Sequence, residues 1–306
     1  MSLVVVGSMA FDDIETPFGK SGKIVGGAAT YIAWCASNFT DVKQISVLGG
    51  DFPQEELDAL AARNVALEGV NIKKDEKSFY WSGKYHLDMN SRDTLVTELN
   101  VLENFVPVVP ESYQDSEFLM LGNLTPSVQM SVIDQMKKRP KLIVMDTMNL
   151  WMNIAMDDLK ALLKKVDVLM VNDSEARQLS GDFSLVRAAK TIMTMGPKYL
   201  VIKKGEHGAL LFHEEKVFFA PALPFEDVFD PTGAGDTFAG GFVGHLAKTK
   251  DISFDNMKTA IIVGSAMASF CVEKFGTERL KEITKEDIAD RLQQFVQLSS
   301  FDIDLV

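Results

Sequence analysis

Short apolar, β-branched runs alternate along this chain with stretches that carry apolar residues at helical spacing. That alternation limits the available folds more than any other feature. Leu3–Val6, Ile45–Leu48, Phe118–Leu121, Leu142–Met145, Val168–Val171 and Tyr199–Ile202 predict short buried strands. Between them Ala28–Ser37, Gln54–Ala62, Ser127–Lys138, Asp158–Lys164 and Leu185–Met195 predict amphipathic helices. Strand and helix in turn imply βαβ units, hence an α/β fold with a mainly parallel sheet covered on both faces. The last third predicts long, buried helices at Ala234–Leu246 and Asn256–Val272, and Thr284–Asp287 resembles a capping box opening a final helix to Leu298.

Several strands end in small or polar residues: Gly7-Ser8, Gly49-Gly50-Asp51, Gly122-Asn123, Asp146-Thr147 and Asn172-Asp173. Ligands of open α/β sheets bind beyond the carboxyl ends of the strands, so these endings are candidates for one site, with Asn123 on its substrate side. Two segments break the rhythm. Asp13–Val25 is turn-rich. In Ser78–Val101, Phe79, Trp81 and Tyr85 alternate with Ser82, Lys84 and His86. Both predict antiparallel strands of a small appendage, either a cover that excludes water from a ligand or a plain decorative hairpin. The division expected is a core of 1–12, 27–74 and 108–306 and a β lid of 13–26 and 75–107.

Charge narrows the partners. The 306 residues hold 31 Lys and Arg against 43 Asp and Glu, a net charge of −12. Such a surface predicts no nucleic-acid partner, since phosphate backbones need clustered cations, and no anionic membrane surface. Thr259–Cys271, the most apolar helix, is too short for a bilayer span of about 20 residues. Only two cysteines, Cys35 and Cys271, are present, which suits a reduced, cytoplasmic protein. Met1–Gly7 reads as a strand rather than a signal peptide.

The stretch richest in chemistry is Phe229-Asp230-Pro231-Thr232-Gly233-Ala234-Gly235-Asp236-Thr237-Phe238-Ala239-Gly240-Gly241. A Gly-Ala-Gly run that leads straight into a helix lets backbone N–H groups converge on one point, where the helix dipole adds positive potential. Gly233, Ala234 and Gly235 thus form a candidate anion hole without Lys or Arg. Asp236 in the first turn sets a proton acceptor beside it, the pairing that phosphoryl transfer to a hydroxyl needs. The plainer alternative is a Gly-rich turn with Asp236 stabilising a helix end.

This string resembles the C-terminal signature of the ribokinase-like (PfkB) carbohydrate kinase family, and further segments follow that family in order from Val4 to about Gln297. Gly7–Asp12 resembles its first strand and substrate-gripping Asp, and Gly26-Gly27-Ala28-Ala29 its Gly-Gly signature. Asn172-Asp173-Ser174-Glu175 resembles its Asn-x-x-Glu magnesium motif, and Lys204-Gly205-Glu206-His207-Gly208 its nucleotide loop. The resemblance implies a Rossmann-like α/β domain with a β lid, and ATP- and Mg²⁺-dependent phosphorylation of a hydroxymethyl group. It implies Asp236 as base, and Asp12, Gly26, Gly27 and Thr30 on the substrate. Asn172, Lys204, Gly205, Gly208, Gly233 and Gly235 would lie on the nucleotide. Glu175 and Asn172 would act on Mg²⁺ largely through water, and Asp230 and Thr232 mark a candidate monovalent-cation (K⁺) site. On the residues alone, Asp12 reads equally as a turn cap, Gly26-Gly27 as a plain turn, and Asn172 and Glu175 as helix-capping residues.

Two departures matter. Thr30 stands near where the family's signature carries Asn, and Asp146–Trp151 lacks the Arg that many members have after this strand. The second favours an uncharged substrate. Phe79, Tyr80, Trp81 and Tyr85 suit stacking on a base or sugar face, or serve as the lid's own core. Thr16–Ser21 ends like a Walker A loop but has Ile14 where the first Gly belongs, and Gly7 alone is no dinucleotide fingerprint. The four histidines lack zinc spacing. The readings left are a sugar kinase, a nucleoside (adenosine-like) kinase of the same fold, and an inactive binding protein on that fold. The lid's exposed strand edges are a candidate homodimer contact.

Overall fold

A computed structural model describes residues 2–300 and 302; Met1 and the last residues of the 108–306 segment lie outside the described residues. The strands are β1 (Leu3–Val6), β2 (Ala10–Thr16), β3 (Gly19–Gly26), β4 (Val42–Gly49), β5 (Val65–Lys73), β6 (Phe79–Tyr85), β7 (Arg92–Glu98), β8 (Phe118–Leu121), β9 (Leu142–Asp146), β10 (Val168–Asn172), β11 (Tyr199–Lys203), β12 (Ala209–His213) and β13 (Lys216–Ala220). Nine form one sheet in the order β13-β12-β11-β10-β9-β8-β1-β4-β5, and four form a second in the order β3-β2-β6-β7. The large sheet is parallel from β5 through β11 and antiparallel only at β11–β12 and β12–β13.

The apolar runs explain the layering. Alternate residues of a strand face opposite sides. Leu3 and Val5 join the core under the helices Ala28–Ala36, Ala234–Thr249 and Phe254–Cys271. Val4 and Val6 join the core under Pro126–Asp134, Met156–Leu163 and Leu185–Met193. All four β1 residues are fully buried, as a strand covered on both faces must be. The final helix opens at Thr284 with a true capping box, closed by Asp287.

Three strands lie outside the sequence reading. β5 is an edge strand whose face is only partly buried, and β12 and β13 form an antiparallel hairpin at the opposite edge, where Val217 and Phe219 stay exposed. β5 lacks the continuous apolar run that marks a central strand, whereas Ala209–Phe212 and Val217–Ala220 carry such runs, which the sequence reading passes over. The small sheet begins at Ala10, so Asp12 stands on β2, paired with Ile24 on one side and Trp81 on the other. The chain leaves the large sheet after β1 and returns through Gly26-Gly27. The two crossings are laced together: Ala29 N–H donates to the Ser8 carbonyl at 2.9 Å and Ala28 N–H to Ser8 Oγ at 3.1 Å.

Candidate active site

The ends of the parallel strands, the Gly233–Asp236 turn and the small sheet come together at one end of the large sheet. Gly233 caps the Ala234–Thr249 helix in the left-handed region, at φ 76°. A Cβ there would stand 2.4 Å from the Tyr31 ring, so both the backbone conformation and the packing demand glycine. The Ala234 N–H is tied to the Pro231 carbonyl at 3.2 Å, and Thr237 N–H to Gly233 at 2.8 Å. Among the described residues the N–H groups of Gly233, Gly235 and Asp236 have no backbone acceptor. They are the orphan donors that a helix start offers to an anion.

Asp236 is partly exposed, on the first turn of that helix. Burial, then the charge of Asp146, pushes its carboxyl up to about 7, against the pull of Lys203 and Arg92. Asp12 is 5% exposed and is also pushed up to about 7, first by burial and then by Asp230 and Asp236, while the Gly27 N–H works the other way. A Cβ on Gly26 would lie 1.9 Å from Asp12 Oδ2, so a side chain there would displace the carboxylate. Thr30 is wholly buried on the Ala28–Ala36 helix, and its hydroxyl has no partner among the described residues.

Asn172 and Glu175 form a reciprocal capping box. Asn172 Oδ1 accepts from Glu175 N–H at 2.8 Å, and Glu175 Oε2 accepts from Asn172 N–H at 2.7 Å. The capping role is therefore real, and it aims a buried carboxyl at the cluster. Burial, then Asp146, pushes Glu175 up to about 7.

The sequence reading placed Asp146 among the strand endings without giving it a role, and it did not single out Lys203. Lys203 Nζ lies 2.8 Å from Asp146 Oδ2 and 3.0 Å from where a Cβ on Gly235 would stand, directly beneath the amide cradle. Burial opposes its charge, but Asp146 and Glu175 hold its pKa above the ordinary value. Its only sequence signal is a Lys closing an apolar strand, and the adjacent Lys204 drew the assignment by motif. Lys204 instead lies over the Phe219 ring, 5.7 Å from its centroid.

The remaining assignments lie on the segments that follow β8 and β11 and on the one before the Ala234–Thr249 helix. Gly205 and Gly208, both at positive φ, flank a tight turn closed by Lys204 N–H on the Gly208 carbonyl at 2.8 Å. Asn123 Oδ1 accepts from Trp151 Nε1 at 2.8 Å, and its amide donates to Met148. Asp230 is fully buried, and its carboxylate takes Thr232 N–H at 2.8 Å and Gly276 N–H at 2.9 Å, which pins the turn before Ala234 to the body of the fold.

No group of three His, Cys, Asp or Glu among the described residues is arranged to hold a metal by itself. A buried carboxyl at the edge of a phosphate cradle suits Mg²⁺, which keeps most of its waters and takes its other ligands from substrate phosphates. No helix of the described residues is long and apolar enough to cross a membrane.

An α/β scaffold with a small second sheet, an amide cradle and a carboxylate at a helix start defines a class of phosphotransferases, and comparison with known proteins agrees. Residues 2–284 match the model of the pfkB family of carbohydrate kinases, and the chain belongs to that family. It is a phosphotransferase with an alcohol acceptor. The cytidine kinase of Thermococcus kodakarensis is 29% identical over 291 residues, covering 94% of this chain and 97% of that one. The fold matches the Burkholderia thailandensis nucleoside kinase in complex with ADP-inosine, with TM-score 0.77, 20% identity and 96% of each chain covered. It also matches the Arabidopsis thaliana ribokinase complexed with ribose and ATP, with TM-score 0.75, 21% identity, and 95% of this chain and 98% of that one covered.

Proposed function

We propose that the chain transfers the γ-phosphoryl group of ATP to the hydroxymethyl group of an uncharged sugar-bearing substrate, a nucleoside in the first instance. The observation that carries the reading is Asp236 beside the unpartnered amides of Gly233 and Gly235, with Asp12 near enough to feel its charge. Asp12 accepts hydrogen bonds from sugar hydroxyls, and the missing Cβ of Gly26 leaves that carboxylate its place. Asp236 takes the hydroxymethyl proton as the oxygen attacks phosphorus. The new O–P bond forms, the bond to the ADP oxygen breaks, and the amides balance the charge on the moving phosphoryl. Lys203, held under the cradle by Asp146, adds positive charge on the same side.

Glu175 and Asn172 would hold Mg²⁺ through water, where the ion would neutralise charge on the ATP phosphates, and Gly205 and Gly208 would lie against the nucleotide. The Asp230–Thr232 turn is the place for a monovalent cation. The small sheet acts as the lid. Of its aromatic residues, Trp81 is partly exposed and shares the face of Asp12, its partner on β2, so it suits stacking on a base, whereas Tyr80 lies on the other face with its hydroxyl on Asp13; the likeness to a cytidine kinase supports a nucleoside acceptor.

ADP release from Mg·ATP is the test, over a panel of cytidine, other nucleosides, ribose and hexoses, with and without K⁺. Turnover with cytidine or another nucleoside above that with free sugars supports the reading. Preference for a free sugar moves the acceptor class, and absence of ADP release with every acceptor leaves a binding protein.

A further inference from the structure

Arg92 opens β7 and pairs with Tyr85 across the β6–β7 ladder. Its guanidinium carbon lies 6.0 Å from the Tyr85 ring centroid and 5.7 Å from that of Trp81. Tyr85 is 5% exposed, and its phenol oxygen accepts from Thr232 Oγ1 at 3.2 Å, so the small sheet sets this ring on the catalytic turn itself. Arg92 is therefore one ring removed from the turn that carries the amide cradle.

Two further contacts hold the small sheet across the cleft. Phe18, at the tip of the β2–β3 hairpin, packs on Phe229 with ring centroids 5.1 Å apart. At the tip of the β6–β7 hairpin, Asn90 Oδ1 lies 2.5 Å from where a Cβ on Gly205 would stand. That tip is shaped by Asp88, whose Oδ1 accepts from Asn90 and Ser91 N–H at 3.1 and 2.9 Å.

The charge balance shows what such a position is for. Asp12, Asp146, Glu175, Asp230 and Asp236 gather here, and Lys203 is committed to Asp146. Arg92 is exposed and makes no ion pair or side-chain hydrogen bond among the described residues. Its charge nonetheless draws down the carboxyls of Asp12, Glu175 and Asp236 alike. Its place is set by the two rings it lies against: Trp81, paired with Asp12 across the β2–β6 ladder, and Tyr85, bonded to Thr232. An unpaired guanidinium over a carboxylate-rich site awaits an anion that is planar or tetrahedral in oxygen, and Arg matches that geometry with paired donors.

We propose that Arg92 is a catalytic residue of the small sheet, its guanidinium capping the transferring phosphoryl group from the side opposite the Gly233, Gly235 and Asp236 amides. It exchanges no bond and no proton; it stabilises charge on the equatorial oxygens while the bond to the acceptor forms and that to ADP breaks.

This role rests on the kinase reading, and the experiment separates the two. Steady-state ADP release is measured for the wild type, R92A, R92K and D236N, with thermal midpoints, and for R92A and D236N with added guanidinium chloride at millimolar concentration. R92A is expected to lower kcat by about 100-fold or more, the size of a lost charge-stabilising donor, with KM for the acceptor and the thermal midpoint nearly unchanged. R92K retains part of the rate, and guanidinium restores part of it to R92A but not to D236N. Loss confined to the acceptor KM overturns the role in favour of substrate holding. Loss without guanidinium rescue, with a lowered midpoint, overturns it in favour of a structural residue. R92A at wild-type turnover beside an inactive D236N overturns this role alone, whereas a wild type that releases no ADP overturns it together with the kinase reading.

Discussion

Asp236 owes its basicity to its surroundings. An ordinary Asp titrates near 4 and is a weak proton acceptor at neutral pH, whereas burial and Asp146 push this one up to about 7. Asp236→Asn is nearly isosteric and keeps the helix start, yet has no lone pair of comparable basicity. It is expected to bind ATP and to lower kcat by about 10³-fold, within the usual range for a lost general base, as measured by ADP release. The same shift makes a stability statement. Between pH 4 and 7 the folded chain holds protons on Asp12, Glu175 and Asp236 that the unfolded chain has released, so their contribution falls as pH rises through that window. Ligand-free protein is therefore expected to lose thermal midpoint between pH 5 and 8. Asp236→Asn is expected to raise the midpoint at pH 8 by several degrees, and by less at pH 5, in paired thermal melts.

The elements at the site each serve two purposes. The Ala234–Thr249 helix is a core element, with Phe242 fully buried, and its start carries the unpartnered amides of the proposed phosphate site. Its geometry depends on Gly233 lying against Tyr31. Gly233→Ala forces a side chain into the left-handed region and into that ring, at a cost of about 1–3 kcal/mol. A lowered thermal midpoint with lowered kcat is expected, and adding Tyr31→Ala is expected to remove the overlap while the backbone penalty stays. The helix Asp173–Ser180 works similarly: its capping box fixes Glu175 by two bonds to Asn172. Both helix starts were legible, because Gly-Ala-Gly-Asp and Asn-x-x-Glu are local patterns. Lys203 was not, because its meaning comes from Asp146, which stands on another strand.

The molecule is two sheets joined at β1–β2 and β3–Gly27, with the site in the seam. Phe18 on Phe229 is the aromatic contact that holds the first hairpin to the loop before Asp230. Phe18 is 44% exposed, so Phe18→Ala removes little core. Its expected effect is a raised KM for the acceptor and faster amide exchange in β2 and β3, with an almost unchanged thermal midpoint, checked by kinetics and hydrogen exchange.

Sequence alone determined the central strands, the covering helices and the amide-cradle turn, because each is written in contiguous residues: apolar runs, helical spacing, a Gly-rich start. Tertiary structure alone decided that Tyr85 of the small sheet reaches Thr232 with Arg92 one ring removed, that Lys203 sits beneath Gly235, and that the carboxyls of Asp12, Glu175 and Asp236 are pushed up to about 7. Those facts depend on burial and on charges brought together from distant parts of the chain, and electrostatic energy follows distance through space, which local pattern does not encode.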